Sequence, residues 1–500
     1  MPPTYTITLN DNDDLSAEVL RLHWRLGMAR PYDSRAAPIA AEITVRNPTR
    51  GFSPEVSSRA LLPGTPIRIR STYNSVTYTH FTGRVAQVEP TPGDQGVKQA
   101  VIYATGPEPE MMQSSARLPA QFNRRADEIA AALLESVPLR QVALAGRWLL
   151  DQSAQTELGL NTRLAAAYPR LFEAGLSTFV LCADTWQDSV SAWDALGEVV
   201  AAERGRLFIN RAGEVVLLNR HHTLLDEFPL AAFTDDMVGL DYQYGAGHIN
   251  RVVVNLRPRT LGAPGSILWS LVEPQSIPGA DQPLRLTARF RDSAERPIGA
   301  AELLAPVAGM DWQANTRADG LGQDRTNSVS LRLTAAAAAA NLEFINNSPE
   351  TIFILAGARL RGTPLIEGDP LAVEVRDHAA QNRYGAATLT LDLPALTPAF
   401  AADLASFELA RRVQPSGQAQ AIRLRAPAHL DAMLRCTLFD RIRLTESQTG
   451  HASDAFIIAE EHTVDLGGLR HEARWLLEPA DRAFWRVAAG TLGQSSVLAY

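Results

Sequence analysis

Pro63-Gly64-Thr65-Pro66-Ile67-Arg68-Ile69-Arg70 is followed, after a polar turn, by Phe81-Thr82-Gly83-Arg84-Val85-Ala86-Gln87-Val88 and, past a Gly/Pro/Asp turn, by Ala100-Val101-Ile102-Tyr103-Ala104. Near the other end, Phe439-Asp440-Arg441-Ile442-Arg443-Leu444 leads to Phe456-Ile457-Ile458-Ala459-Glu460-Glu461-His462-Thr463-Val464 and then to His471-Glu472-Ala473-Arg474-Trp475-Leu476-Leu477. Short β-branched runs that alternate apolar and polar residues between turn signals are the pattern of half-buried strands, so each stretch reads as a three-strand meander. The spacing repeats too, with 14 positions from Ile67 to Phe81 and 14 from Ile442 to Phe456. The residues expected to pack the meanders are Ile67, Phe81 and Val85 in one and Ile442, Phe456 and Trp475 in the other. A β module duplicated more than 350 residues apart points to a subunit that supplies two equivalent segments to a ring. That is a statement about assembly and points away from catalysis.

Composition sets the bounds. At 500 residues the chain has room for several domains, and its 46% apolar and 20% charged residues are those of an ordinary globular protein. No apolar run reaches the roughly 18 residues of a membrane span, and MPPTYTITLNDNDD has neither the basic nor the apolar region of a signal peptide. A soluble protein made in a cytoplasm is expected. Cys182 and Cys436, the two cysteines, lie in apolar contexts that suit buried free thiols. Lys98 is the one lysine among 47 basic residues, and arginine, with its planar fork, suits interfaces with carboxylates. The formal net charge of −8 opposes non-specific nucleic-acid binding and suits a surface past which DNA slides without sticking.

Along the chain, residues 1–106 read as strands and turns, except that a helical stretch opens near Ser16 with a pattern that is ambiguous through Leu26. Residues 107–225 read as a small α/β domain. In it, Asn123–Val137 is an amphipathic helix, and a second helix capped by Asp184 or Thr185 runs to Arg204 with Gly205 as its C′ residue. A hairpin, Arg206–Asn210 and Glu214–Leu218, closes the domain. Residues 226–257 return to strand, including His248–Leu256. The Pro/Gly-rich stretch after 257 marks an insertion boundary, and residues 258–375 have the strand spacing of a β-sandwich, with Leu284–Phe290, Val329–Thr334, Thr351–Leu360 and Leu371–Val375 as strands. Ala335–Ala340 has helical propensity, but the flanking strands predict extended structure. Residues 376–500 hold the helix 397–413, N-capped by Thr397 with Pro398 at N1, and then the second meander.

Chemical motifs are sparse. The sequence holds no GxSxG elbow, Walker loop or dinucleotide fingerprint. His221-His222 are adjacent, which points them apart on a strand, and Glu460, Glu461, His462, His471 and Glu472 read as the polar face of a meander rather than a metal site. No catalytic, metal or cofactor residue is expected.

The order of segments resembles the tail hub, or tail-tip minor tail protein, of long-tailed bacteriophages, a family related to contractile-phage baseplate hubs and to type VI secretion spikes. The resemblance is carried by Ile43-Thr44-Val45-Arg46-Asn47, Gly51-Phe52-Ser53-Pro54 and Phe81-Thr82-Gly83-Arg84-Val85 near the N-terminus. It continues through Arg206-Leu207-Phe208-Ile209 with Ala212-Gly213-Glu214-Val215, through Arg361-Gly362-Thr363-Pro364-Leu365, and through Asp440-Arg441-Ile442, His462, Trp485 and Leu492-Gly493. It implies a β-rich α+β multidomain chain: two tube-like β domains (1–106 and 376–500), the small α/β domain (107–225), return strands of the hub core (226–257) and the inserted β-sandwich (258–375). It implies a non-enzymatic homotrimer in the virion tail tip, whose pseudo-sixfold ring meets sixfold tail-tube or distal tail proteins on one side and a central fibre or spike on the other. DNA would pass through the channel without specific binding, and no C-terminal enzymatic or receptor-binding extension is expected. Host-surface contact fits the sandwich. The alternatives are a receptor- or carbohydrate-binding tail-tip protein and a peptidoglycan or glycan hydrolase, both seated on the sandwich.

Overall fold

The structure, a computed structural model, describes residues 2–57, 59, 61–91, 96, 98–137, 170–186, 190–225, 228–279, 283–465 and 470–480. Trp485 and the closing Leu492-Gly493 phrase lie outside them. The chain is rich in strands, arranged in several sheets.

The two ends of the chain meet in one 13-stranded sheet. The N-terminal region gives it Val19–Gly27, Ala40–Arg46, Pro66–Tyr73, Val76–Thr91 and Gln99–Thr105. The spatial order of these five, numbered along the chain, is 1-2-5-4-3, every neighbour antiparallel. The C-terminal region gives Gly417–Arg425, Arg441–Glu446, His451–Asp465 and Arg470–Pro479, joined by Gly239–Tyr244 from mid-chain. Their order is again 1-2-5-4-3, again antiparallel throughout. The stretch read as ambiguous, 16–26, is thus the strand Val19–Gly27, with Leu22, Trp24 and Leu26 buried at period 2.

Both long strands carry a one-residue bulge where they face the last strand, between Val85 and Gln87 in one and between Ile457 and Ala459 in the other. Aligned on that bulge, Val85 answers to Ile457. Ile67 lies opposite Gly83, whereas Ile442 lies opposite Ala455. Phe81 therefore answers to Ser453 and Phe456 to Arg84, so the 14-position match does not mark equivalent residues. The cause is local: the first hairpin has longer arms, with two more strand pairs, and an extra bulge after Ile69, which together outweigh its shorter, two-residue turn.

The α/β region is built from Ala126–Ser136 and Ala192–Glu203 packed on each other beside two small sheets. Both helices start later than the sequence predicted. Residues 121–125 are drawn into a strand against Thr178–Cys182. Ser191, not Asp184 or Thr185, caps the second helix, its Oγ accepting from the Asp194 N–H at 3.0 Å. Arg204 rather than Gly205 takes the left-handed conformation at its end (φ 57°).

The strands after residue 257 form three small sheets around a separate core that includes Leu268, Phe290, Trp312, Phe344 and Ile354. Two expectations change here. Thr351–Leu360 splits into Ile352–Ile354 and Arg359–Glu367 around a turn at Gly357. Leu371–Arg376 stands apart from these three sheets and pairs with Arg251–Leu256, in a three-stranded sheet covered by the helix Pro398–Arg412. That helix has Thr397 as its cap, and Ala336–Ala338 turn between two strands instead of coiling. Among the described residues no helix is long and apolar enough to cross a membrane.

Candidate functional site: the seam between the two terminal sheets

Val19–Gly27 pairs antiparallel with the C-terminal half of the long strand 451–465, from Arg21 opposite Asp465 to Gly27 opposite Ala459. This is the one joint, among the described strands, that links the N-terminal five strands to the C-terminal five. The long strand can serve both partners because Arg441–Glu446 covers only 451–456 on that edge. Gly27 ends the seam with φ 105°, and a Cβ there would stand 2.3 Å from the Ile458 carbonyl oxygen, so the approach requires glycine. Outside, Arg21–Asp465 (3.4 Å) and His23–Glu461 (2.9 Å) bridge the joint.

Inside it lies a buried polar cluster. His80, His462 and His471 are fully buried, as is Trp24, whose ring stacks on His462 at 4.9 Å. His462 Nδ1 and His471 Nε2 are 2.9 Å apart, the Tyr5 hydroxyl is 2.7 Å from His471 Nδ1, and the Ser71 hydroxyl is 2.7 Å from His80 Nε2. Burial in the first place, then the charge of Arg211 and the neighbouring imidazoles, hold His80 and His471 well below the ordinary histidine value. His462 is lowered by burial as well, against the opposing pull of Glu460.

Arg211 closes the cluster. It sits in the turn of the hairpin made by Arg206–Ile209 and Val215–Leu218. Its Nε donates to Glu460 Oε1 at 2.7 Å, and Nη2 to Oε2. Nη1 donates to the Leu434 carbonyl and Nη2 to that of Cys436, each at 2.9 Å. Burial alone would raise the Glu460 carboxyl, but the Arg211 charge and hydrogen bonds outweigh it and hold the group far below the usual range. On the other side of the same turn, Gly213 (φ 82°) packs on Thr82 of the first sheet, where a Cβ would lie 3.2 Å from its carbonyl oxygen. The hairpin tip therefore touches both sheets. Arg204–Glu408 (2.6 Å) and Arg206–Glu478 (2.6 Å) are buried pairs that tie the same stretch to the C-terminal region. The three Arg206, Arg411 and Glu478 side chains share one site, with Arg411 at 3.8 Å. Three arginines also crowd Glu408; burial opposes them, yet its pKa falls to about 2.

The residues expected to pack the meanders are all buried. Ile67, Phe81, Val85, Ile442 and Trp475 lie in the main apolar core, and Phe456 is buried on the opposite face of its strand. They fill the interior under the sheets rather than an outer surface. The expected polar face divides by strand alternation: Glu460, His462 and His471 point into the seam, while Glu461 and Glu472 point out. His222 does not join a metal site but meets Glu173 at 2.6 Å, and among the described residues no cluster could hold a metal ion. Trp24, His80 and Arg211 were missed. The period-2 pattern from Leu22 to Leu26 could have placed Trp24, whereas nothing local brings Arg211 to a strand 249 residues away.

No protein-family profile matches the chain, and no curated protein matches it. Similar solved structures are a tail protein from Neisseria meningitidis (8% identity, 96% of this chain and 97% of that chain covered, TM-score 0.49), the 43 kDa tail protein of prophage MuSo2 from Shewanella oneidensis (9% identity, 96% and 99% covered, TM-score 0.49) and a prophage tail protein from Listeria monocytogenes (7% identity, 95% and 94% covered, TM-score 0.39). All three are tail proteins, the latter two from prophages.

Proposed function

We propose that this chain is a structural tail-tip hub, three copies of which close a pseudo-sixfold ring that joins a tail tube to the tip of a virion or phage-derived particle. The observation that carries the proposal is the pair of five-strand sheets with the same strand order, one from each end of the chain, fused head to flank through a single seam. A heterologous contact of that kind propagates, and it closes into a ring when the rotation per module permits. Each chain supplies two tube-like modules, so three chains supply six. The role is one of scaffolding rather than catalysis. The buried Arg–Glu pairs hold the C-terminal module against the α/β region, whose hairpin tip also touches the N-terminal module through Gly213. A net charge of −8 suits a channel through which DNA passes without adhering. Sixfold tail-tube or distal tail proteins above, and a central fibre or spike below, are the partners that the resemblance implies. The sandwich, with its own core, is an outward decoration available for contact with the host surface. The test is the oligomeric mass of the full chain in solution together with the symmetry of the particles in negative stain. Trimers with sixfold-like rings support the proposal, and a monodisperse monomer opposes it.

A further inference from the structure

The intrachain seam uses two surfaces. One is the outer edge of the first strand of the N-terminal sheet, Val19–Gly27. The other is the second half of the long strand of the C-terminal sheet, 459–465. Each surface has a counterpart on the opposite sheet, and among the described residues both counterparts are uncovered. The first strand of the C-terminal sheet, Gly239–Tyr244, pairs with Gly417–Arg425 on one side and, among the described residues, with nothing on the other. The second half of the N-terminal long strand, 87–91, pairs with Gln99–Tyr103 on one edge, while Pro66–Tyr73 stops at Arg84 on the other. Gln87, Glu89, Pro90 and Thr91 are exposed there, and Tyr244 is 74% exposed on the opposite edge. Six strands of the same sheet separate the two free edges. Seven spacings of about 4.8 Å make roughly 34 Å, so one copy cannot join them to each other.

We infer that the free edge of Gly239–Tyr244 pairs antiparallel with residues 87–91 of a second copy of this chain, in the register of the intrachain seam. This rests on the ring proposed above and specifies its joint. The register follows from the shared bulges. In the seam, His23 faces Thr463. Through the adjoining strands Leu22 answers to Leu240 and His23 to Asp241, and from the bulge Thr463 answers to Thr91. Asp241 therefore faces Thr91 of the neighbour. In that register Asp241 takes the place of His23 and Glu89 that of Glu461, so two carboxylates meet where the seam pairs an imidazole with an acid, and Arg423 and Arg474, each 3.5 Å from Asp241, are the cations at hand to offset them. Pro90 offers no N–H, so this edge pairs through fewer ladder hydrogen bonds than the seam does.

The test is a disulfide across the joint, with Asp241→Cys and Thr91→Cys in the full chain, oxidised and run on a non-reducing gel beside the reduced protein by light scattering. Cysteines bridge only when their Cβ atoms lie about 3.5–4.5 Å apart. Cys182 and Cys436 are buried and do not compete. The expected result is a covalent trimer, with no more than a trace from the offset pair Asp241→Cys with Glu89→Cys. The reduced variant with the unmodified protein's mass shows that the exposed substitutions leave folding intact. A trimer by mass that fails to cross-link, or cross-links equally at both positions, overturns the joint while leaving the ring. A monomer by mass, with the unmodified chain also monomeric, overturns both.

Discussion

Replacing Arg211 by methionine removes the charge that holds Glu460 ionised inside the seam while keeping most of the side-chain volume. The structure sets the magnitude. Glu460 is 1% exposed, and breaking a buried ion pair from one side costs about 3–5 kcal/mol, because the remaining charge has neither water nor partner. The change also strips donors from the Leu434 and Cys436 carbonyls, each within 2.9 Å of the guanidinium; an orphaned buried acceptor costs about 1–3 kcal/mol. A loss at or above about 5 kcal/mol is expected for Arg211→Met, and about 3 kcal/mol for Glu460→Gln, whose amide keeps one acceptor for Arg211. The double variant should lose less than the sum by at least about 2 kcal/mol, since neither charge is then stranded. A chain of several domains need not unfold in one step, so the readout is hydrogen exchange of the segments 430–436 and 457–463 alongside urea denaturation. Unchanged exchange in both segments for either single variant, or strictly additive losses, would refute the coupling.

Three further outcomes follow from the same geometry. His80 and His471, held neutral by burial with Arg211, Glu460 and Tyr5 around them, bind no proton where their unfolded counterparts do, below about pH 6.5. Stability is full above that pH and falls beneath it, by about 1.4 kcal/mol per pH unit for each histidine; His471→Gln should flatten the stability slope between pH 5 and 6.5 by about that amount, and an unchanged slope would contradict it. Glu108, raised to about 7 by burial, acts in the opposite sense, its stabilisation being fully present below its unfolded value and lost as pH rises through 7, but it contributes equally to both proteins. Gly213→Ala should cost about 1–2 kcal/mol, from its left-handed φ and from Thr82, with increased exchange at the hairpin tip; no change would detach that tip from the first sheet. Phe81→Ala and Phe456→Ala should each cost about 3–5 kcal/mol by opening cavities and together abolish assembly, and a double variant that still elutes as a trimer would overturn the link between meander packing and assembly.

Much of the fold was legible where the determinants are local. Thr397 and Pro398 announce a helix start, the turn around Gly213 announces a hairpin, and the flanking strands of Ala335–Ala340 outweigh its helical propensity. The two meanders were visible for the same reason, as alternation between turns. Their exact equivalence was not, because a bulge adds a residue without any compositional mark, and one falls in the first hairpin and none in the second. Val19–Gly27 read ambiguously because its partner lies more than 430 residues away at 459–465. Gly239–Tyr244 and Leu371–Arg376 were read as parts of their sequence neighbourhoods, yet each pairs across a long insertion. The seam cluster was the least legible part. His462, His471 and Glu460 were read as a polar surface, since nothing short-range says that Trp24 and the Arg211 hairpin cover them.

The most direct measurement is the mass of the intact chain by analytical ultracentrifugation, paired with class averages in negative stain. The proposed hub predicts a single species of three times the 54.4 kDa monomer, seen end-on as a ring of six similar densities. A single species at the monomer mass, with no ring under conditions that preserve intact tails, would contradict it.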